Sequence, residues 1–117
     1  AKAYQNVVNA TSVYAFDAEL RLIAQLQLMI SMDSANGHLA ANYGVPVISL
    51  WGATHPFLGF APFGQAEANN LTADRLQYPF LPTSVYGNKI RRSYEDAMRT
   101  IDPKTVIELA LKILGNK

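Results

Sequence analysis

The chain has 117 residues, of which half are hydrophobic and 16% are charged, and this balance predicts a folded domain. The net charge is only +1, which argues against a nucleic-acid binder that depends on a large basic field. The absence of cysteine excludes a disulfide scaffold and a cysteine nucleophile, and no apolar run approaches the roughly 18 residues of a membrane span. Because the sequence lacks an initiator methionine and opens in structured-looking sequence, we expect an excised piece of a larger protein.

The sequence of the first part of the chain predicts a strand, a helix and a second strand. The apolar pair Val7-Val8 fits a short strand. Asp17 is placed to cap a helix that extends to about residue 27, because a carboxylate accepts hydrogen bonds from the free N–H groups of a first turn. Residues 28–32 are almost continuously apolar, which is typical of a strand covered on both faces.

The next segment continues that strand into a helix and a third strand. Asp33 and Ser34 end the apolar run and are able to cap a helix that finishes just before Gly44, a natural residue to follow a helix. Residues 45–51 form another buried strand. Such a tight βαβ unit is parallel and right-handed, so we predict an α/β fold with a parallel sheet and flanking helices.

The middle of the chain is predicted to be irregular. Residues 52–65 are rich in glycine, proline and phenylalanine, and they follow the carboxyl end of a strand, where α/β proteins place ligands. Residues 66–89 show no periodicity. Ser93 and Asp96 then resemble a capping box for a short helix that ends near Thr100.

The last helix has the clearest signals. Asp102 is placed as its cap, Pro103 suits its first position and Gly115 follows its end. The helix is predicted to be amphipathic, with one apolar stripe made of Val106, Leu109, Ala110, Ile113 and Leu114.

The turn between the second strand and its helix is the main candidate site, and it reads Asp33-Ser34-Ala35-Asn36-Gly37-His38. The first helical N–H groups lack intrahelical partners, the helix dipole adds roughly half a positive charge, and small residues let an anion approach. This pattern favours phosphate or pyrophosphate, with His38 one turn after Ser34 as a further donor. Asp33 would accept hydrogen bonds from sugar hydroxyls. The alternative is structural, with Asp33 as a mere cap and His38 as a half-buried helix residue.

A second set of polar residues lies in the loop after the next strand. Beside His55, Gly52 is placed to offer a backbone N–H group and Thr54 a hydroxyl near the same cleft; the alternative is that Pro56 and the aromatic residues simply shape the loop. The two histidines lack ligand spacing and partner cysteines, which argues against a zinc site. The motifs typical of serine hydrolases, P-loop proteins and standard NAD-binding proteins are absent.

Two motifs resemble a known family. They read Ser31-Met-Asp-Ser-Ala-Asn-Gly-His-Leu-Ala-Ala41 and Gly44-Val-Pro-Val-Ile-Ser-Leu-Trp-Gly-Ala-Thr-His-Pro56. Both are similar to motifs of the ADP-heptose:lipopolysaccharide heptosyltransferases, glycosyltransferase family nine, which carry D-[ST]-x-x-x-H-L-A-A followed by G-x-P and G-x-T-x-P. The phrase Met98-Arg-Thr-Ile-Asp-Pro103 also resembles the segment that leads into the last helix of these enzymes.

The resemblance implies a GT-B enzyme with two Rossmann-like domains, of which residues 1–117 are part of the C-terminal, nucleotide-sugar-binding domain. Such enzymes transfer heptose from an ADP-sugar to the lipopolysaccharide core with inversion, without a cofactor and independently of metal. The implied location is cytoplasmic, with peripheral contact at the inner membrane left open. The implied partners are the donor and, through the N-terminal domain, the acceptor; nucleic acid is not among them, and self-association is left open.

The resemblance also assigns the site residues. The backbone of Ser34, Ala35, Asn36, Gly37 and His38 would cradle the donor pyrophosphate, Asp33 would contact the donor sugar, and Thr54 would lie near the same pocket. The family's catalytic base belongs to the N-terminal domain, so we expect no turnover by this chain alone.

The sequence departs from the family pattern at three positions. Many members have glycine where this chain has Ala35, and proline and aspartate are common at the positions of Ala53 and His55. The sugar is therefore heptose or a related one. Two other classes of function stay open: a non-catalytic nucleotide- or phosphosugar-binding module, and a structural half-domain that associates through an exposed sheet edge.

Overall fold

The computed structural model describes residues 4–32, 34–52, 61–73, 77 and 97–115. These residues form three α-helices and three β-strands, with single 3-10 turns at Glu67–Asn69 and Ala97–Thr100. In chain order the elements are α1 (Phe16–Ala24), β1 (Met29–Met32), α2 (Ala35–Asn42), β2 (Val47–Trp51), β3 (Asn70–Thr72) and α3 (Pro103–Gly115).

The three strands make one parallel sheet in the order β1-β2-β3. Met29 of β1 pairs with Val47 of β2, and Ser49 of β2 pairs with Asn70 of β3. The predicted α/β fold with a parallel sheet and flanking helices is confirmed, and it is consistent with part of a Rossmann-like domain.

Helices α1 and α2 cover the same face of the sheet. Ile23 of α1 and Ala40 of α2 belong to one buried cluster with Val47 of β2, and Met29 of β1 packs against it. The small side chain of Ala40 is completely buried, which lets α2 lie close to the strands. The main core therefore lies between these two helices and the odd-numbered side chains of β1 and β2.

Helix α2 ends in a Schellman motif around Gly44, as the sequence predicts. The N–H group of Gly44 donates to the carbonyl of Ala41 (3.0 Å), and that of Val45 donates to the carbonyl of Ala40 (3.0 Å). Gly44 has a φ of +76°, which a residue without a Cβ adopts at no steric cost. Val45 and Ala40 share the buried cluster, so the same motif that ends the helix also aims the chain into β2.

Strand β1 is not covered on both faces, contrary to the prediction from its apolar run. Ile30 and Met32 are 47% and 58% exposed, whereas Ser31 between them is buried. Helices α1 and α2 pack on the face of Ser31, and β1 is the first strand in the sheet order, so its other face is open in the described part of the chain. The two-sided burial is found in β2, where Val47, Ile48 and Trp51 are fully buried.

The N-terminal predictions are also corrected. Val7-Val8 lies in irregular, exposed chain and forms no strand among residues 4–15. Helix α1 has Ala15 at its N-cap position, so Asp17 falls one residue inside the helix, where its carboxylate pairs with Arg21 (2.9 Å) and does not cap. The helix ends at Ala24, before the predicted residue 27, because the chain tightens into i to i−3 hydrogen bonds before it enters β1.

The amide of Gln65 pairs with backbone groups at the start of β2. Its Oε1 accepts a hydrogen bond from Val47 N–H (2.7 Å), and its Nε2 donates to the carbonyl of Val45 (3.2 Å). Strand β3 pairs with β2 only from Ser49 onward. On the side of β2 that faces β3, the Gln65 side chain therefore bonds the backbone at the start of β2, which β3 does not reach.

Helix α3 begins as predicted and borders the opposite face of the sheet. The Oδ1 atom of Asp102 accepts a hydrogen bond from Lys104 N–H (2.9 Å), which is an N-cap bond. Gly115 is the last helical residue rather than the one that follows. A cavity of about 320 Å³ lies between α3 and the sheet, lined by Leu50, Ile101, Pro103, Val106 and Ile107.

Two further observations complete the fold. The capping box predicted at Ser93 and Asp96 lies outside the described residues, and only the turn Ala97–Thr100 of that helix is described. Among the helices of the described ranges, none has the length and apolar character needed to cross a membrane.

Candidate functional site

The candidate site lies at the carboxyl edge of the sheet, where β1 turns into α2. Because the strands are parallel, their carboxyl ends share this edge, which is the usual position of ligands in open α/β sheets. Ser34 is the N-cap residue of α2, with extended backbone angles (φ −147°, ψ 166°). The N-terminus of α2 therefore opens onto the edge of the sheet.

Ser34 does not use its hydroxyl to cap α2, because that hydroxyl is engaged by Ser31. Ser31 Oγ donates its single proton to the carbonyl of Met32 (2.7 Å). The bond between Ser31 Oγ and Ser34 Oγ (2.9 Å) must then have Ser34 as its donor. Ser34 accordingly makes no side-chain hydrogen bond to the first turn of the helix. The serine at this N-cap is thus turned toward the strand and away from the helix.

The first-turn N–H groups of α2 face a partly open surface. In an α-helix the N–H groups from the N-cap residue to the third helical residue have no intrahelical acceptor. Here these groups belong to Ser34, Ala35, Asn36 and Gly37, of which the first three residues are exposed. His38 is half-buried and follows Ser34 by one turn, so the two lie on the same side of the helix. The residues predicted to cradle the pyrophosphate, Ser34 to His38, are thus the N-cap and the first helical residues of α2.

Gly37 has a packing role that differs from the expected one. From the sequence we expect its small size to clear space for an anion, but the position of a Cβ would face the sheet. A Cβ there would lie 3.2 Å from Ser31 Oγ and 3.5 Å from Pro62 Cγ. Gly37 is itself buried. Because Gly37 has no side chain, α2 lies close to β1. The solvent-exposed residues of this turn are Ser34, Ala35 and Asn36.

Sequence reasoning missed Ser31, Pro62 and Gln65. Ser31 stands inside an apolar strand, and the only available signal was its polarity three residues before another serine. Pro62 is buried against the first turn of α2, and Gln65 anchors the same loop to the start of β2. These contacts join segments that are distant in the sequence, so no local pattern predicts them.

Two predicted site residues, Asp33 and Thr54, lie outside the described part of the chain, as does His55. Their assigned roles stay predictions. Among the described residues, no cluster of three or more histidine, aspartate or glutamate side chains has the arrangement of a metal site.

A family model described as glycosyltransferase family 9 (heptosyltransferase) matches residues 4–91, which is more than half of the chain. The chain belongs to glycosyltransferase family 9. The matched region contains β1, α2, β2 and β3, and therefore the whole turn from Ser34 to His38. Helix α3 lies beyond the end of the match. Neither a search of curated proteins nor one of solved structures found a match.

Proposed function

We propose that the turn from β1 into α2 binds the pyrophosphate of a nucleotide-sugar donor in a family 9 glycosyltransferase. The observation that carries this proposal is the hydrogen bond between Ser34 and Ser31, which leaves the N-cap of α2 without a side-chain bond. A serine at an N-cap ordinarily satisfies one first-turn N–H group. Here the Ser34 side chain does not bond the first-turn N–H groups of α2, so they can donate to another acceptor. A diphosphate is a suitable acceptor because it is anionic and rich in oxygens that accept hydrogen bonds.

The chemical role of the turn would be electrostatic. Glycosyl transfer from a nucleotide-sugar releases a nucleoside diphosphate, so negative charge builds up on the pyrophosphate as the glycosidic bond breaks. The N-terminus of α2 carries roughly half a positive charge together with directed N–H groups. Fixed donors of this kind stabilise charge that develops during a reaction without having to reorganise. His38 is close enough in sequence and on the right side of the helix to donate to the same anion.

The finer assignment follows the family. The donor would be an ADP-sugar, with heptose or a related sugar, and the acceptor would be the lipopolysaccharide core, with inversion at the anomeric carbon and independence of metal. Asp33 would accept hydrogen bonds from the donor sugar, and Thr54 would border the same pocket. The catalytic base would come from an N-terminal domain outside this chain. Sugar transfer by the isolated chain would contradict that last point.

A titration of ADP into the isotope-labelled chain, followed through backbone amide signals, tests the site. We expect shifts centred on residues 34–38. The variant Ala35→Pro removes one N–H group at the first helical position, where proline is well tolerated and where the extended Ser34 already has the conformation that precedes proline. Phe16→Pro is the matched control, because it changes the same position of α1, an exposed residue that follows an extended N-cap.

The proposal predicts that Ala35→Pro weakens ADP binding by at least about tenfold, corresponding to one lost charge-assisted hydrogen bond of about 1.5 kcal/mol or more, whereas Phe16→Pro does not change it. Equal affinities in the two variants, or shifts far from residues 34–38, would contradict a diphosphate site at α2. Binding of ADP by this chain, with no sugar transfer by any protein that contains it, would instead favour a non-catalytic nucleotide-binding module.

A further inference from the structure

Phe63 is the most exposed of the large apolar side chains in the described part of the chain, with 83% of its surface open to solvent. It stands at the corner of a tight turn and is followed by Gly64, whose φ of +73° lies in the left-handed region. Glycine, proline, asparagine, aspartate and serine are the usual residues of turns. A phenylalanine at such a corner is unusual, and its ring gains little burial from the fold.

The backbone on both sides of Phe63 is anchored. Pro62 is buried, and its Cγ lies 3.5 Å from the position that a Cβ on Gly37 would take. Gln65 makes two hydrogen bonds to the backbone at the start of β2. Single exposed apolar residues are common on protein surfaces. Phe63 differs from them because contacts directly before it and two residues after it hold the turn that presents its side chain to solvent.

This turn lies beside the first turn of α2. Gly37, next to which Pro62 packs, is the last of the residues at the start of α2 whose N–H groups lack an intrahelical acceptor. Consecutive Cα atoms are about 3.8 Å apart, so the Phe63 backbone is one residue away from that contact. The fold therefore places an exposed aromatic residue close to the N–H groups proposed to bind the donor diphosphate.

We propose that Phe63 is a stacking platform for the base of the nucleotide whose diphosphate binds at α2, an inference that rests on the proposed function. A nucleotide joins an anionic diphosphate to a flat base with two apolar faces, and here an anion-binding turn and an exposed aromatic residue are neighbours. Stacking removes one face of the ring and one face of the base from water. Because every base has a π face, Phe63 would add affinity without selecting among the bases.

Calorimetric titration with two ligands separates the base from the diphosphate, because ADP and inorganic pyrophosphate share the diphosphate and only ADP carries a base. We expect Phe63→Ala to weaken ADP binding by about tenfold, the loss of one stacked base, and to leave pyrophosphate binding unchanged. Phe63→Trp should retain the affinity for ADP. Tyr43→Ala is the matched control: Tyr43 is an aromatic residue that is 49% exposed at the other end of α2, so its removal should change neither affinity.

Two further readouts test whether the contact is stacking. In the unchanged chain, the adenine protons H2 and H8 should show nuclear Overhauser contacts with the ring protons of Phe63. GDP should lose as much affinity as ADP in Phe63→Ala, because a stacking platform does not read the edge of the base. Amide spectra of the variants should match that of the unchanged chain, since the Phe63 side chain is almost fully exposed.

Several results would overturn the proposal. Unchanged ADP affinity in Phe63→Ala, with pyrophosphate still binding at residues 34–38, would remove Phe63 from the site and leave the proposed function standing. Equal losses of ADP and pyrophosphate affinity would show that Phe63 supports the turn of α2 and stacks on no base. The absence of binding by either ligand would contradict both this proposal and the proposed function. Self-association that Phe63→Ala abolishes, with ADP affinity unchanged, would assign the residue to a contact between copies.

Discussion

The hydroxyl groups of Ser31 and Ser34 lie 2.9 Å apart, and this bond turns Ser34 away from the helix that it precedes. Ser31 is buried in β1 and has already given its proton to the Met32 carbonyl, so it acts on Ser34 only as an acceptor. An N-cap serine typically contributes about 1 kcal/mol through its bond to the first turn. Helix α2 forgoes that stabilisation, because Ser34 makes no side-chain hydrogen bond to its first turn.

The variant Ser31→Ala is expected to separate ligand binding from stability. Without the acceptor, the Ser34 hydroxyl is free to turn and cap α2, where it competes with an anion for the first-turn N–H groups. We expect ADP affinity to fall by about fivefold, while the free energy of unfolding changes by less than about 1 kcal/mol, because the gained cap offsets the lost hydrogen bond. Calorimetric titration and chemical denaturation measure the two quantities.

Ser49→Ala is the control for that experiment. Ser49 is buried on the neighbouring strand and pairs directly with Ser31 in the ladder, so it lies beside Ser31 on the same face of the sheet. Its replacement should leave ADP affinity unchanged. A similar loss of affinity in both variants would show that any disturbance of the sheet weakens the site, and the specific role of Ser31 would be wrong.

Gly37→Ala should destabilise the chain although alanine favours helices. The new Cβ would lie 3.2 Å from Ser31 Oγ and 3.3 Å from Ser31 Cβ, so Ser31 or α2 must shift by a few tenths of an ångström, and the hydrogen bonds of Ser31 resist that shift. We expect a loss of about 1–3 kcal/mol in the free energy of unfolding, the usual range for overpacking. Gly115→Ala is the control, because a Cβ there meets no atom within 4 Å and should leave stability unchanged or slightly higher. If both variants were equally stable, the close contact between α2 and β1 would be refuted.

Gln65→Ala should loosen the loop between β2 and β3. It removes two hydrogen bonds and leaves Val47 N–H and the Val45 carbonyl without their partner at a partly buried position. Leaving such groups unsatisfied costs about 1–3 kcal/mol each, so we expect a loss of about 2 kcal/mol on denaturation, with faster amide exchange at Val47. Glu67→Ala, at an exposed position two residues later, should have little effect. Unchanged exchange at Val47 would contradict this role of the Gln65 amide.

Two aspartates at the starts of helices should differ in their contribution to stability. Asp102 caps α3 through Lys104 N–H, and Asp102→Ala is expected to lower the free energy of unfolding by about 1 kcal/mol. Asp17 lies inside α1 and pairs with Arg21, with both side chains 75% exposed, so Asp17→Ala should cost no more than about 0.5 kcal/mol. Thermal unfolding of both variants measures the difference, and an effect of Asp17→Ala as large as that of Asp102→Ala would disprove it.

Much of the fold and part of the site could be predicted from local patterns. The end of α2 at Gly44 depends on one glycine in a left-handed conformation, and the start of α3 depends on Asp102 and Pro103; each signal involves residues within one turn. The local signal at Asp17 predicted the wrong N-cap residue, because Ala15, two residues earlier, is the N-cap of α1 in the structure. Capping residues indicate that a helix begins nearby, and the packing of the helix decides at which residue it begins.

The sequence by itself determined that this chain forms a parallel βαβ unit with a small-residue turn between β1 and α2, since apolar runs and capping residues act over a few positions. Only the tertiary structure decided which face of β1 is covered, that Gly37 serves the contact with Ser31, and that Gln65 completes the edge of β2. Those outcomes depend on where distant segments meet. In the described part of the chain, the apolar strands β1 and β2 differ in burial because β1 is the outer strand of the sheet, whereas β2 has a neighbour on each side.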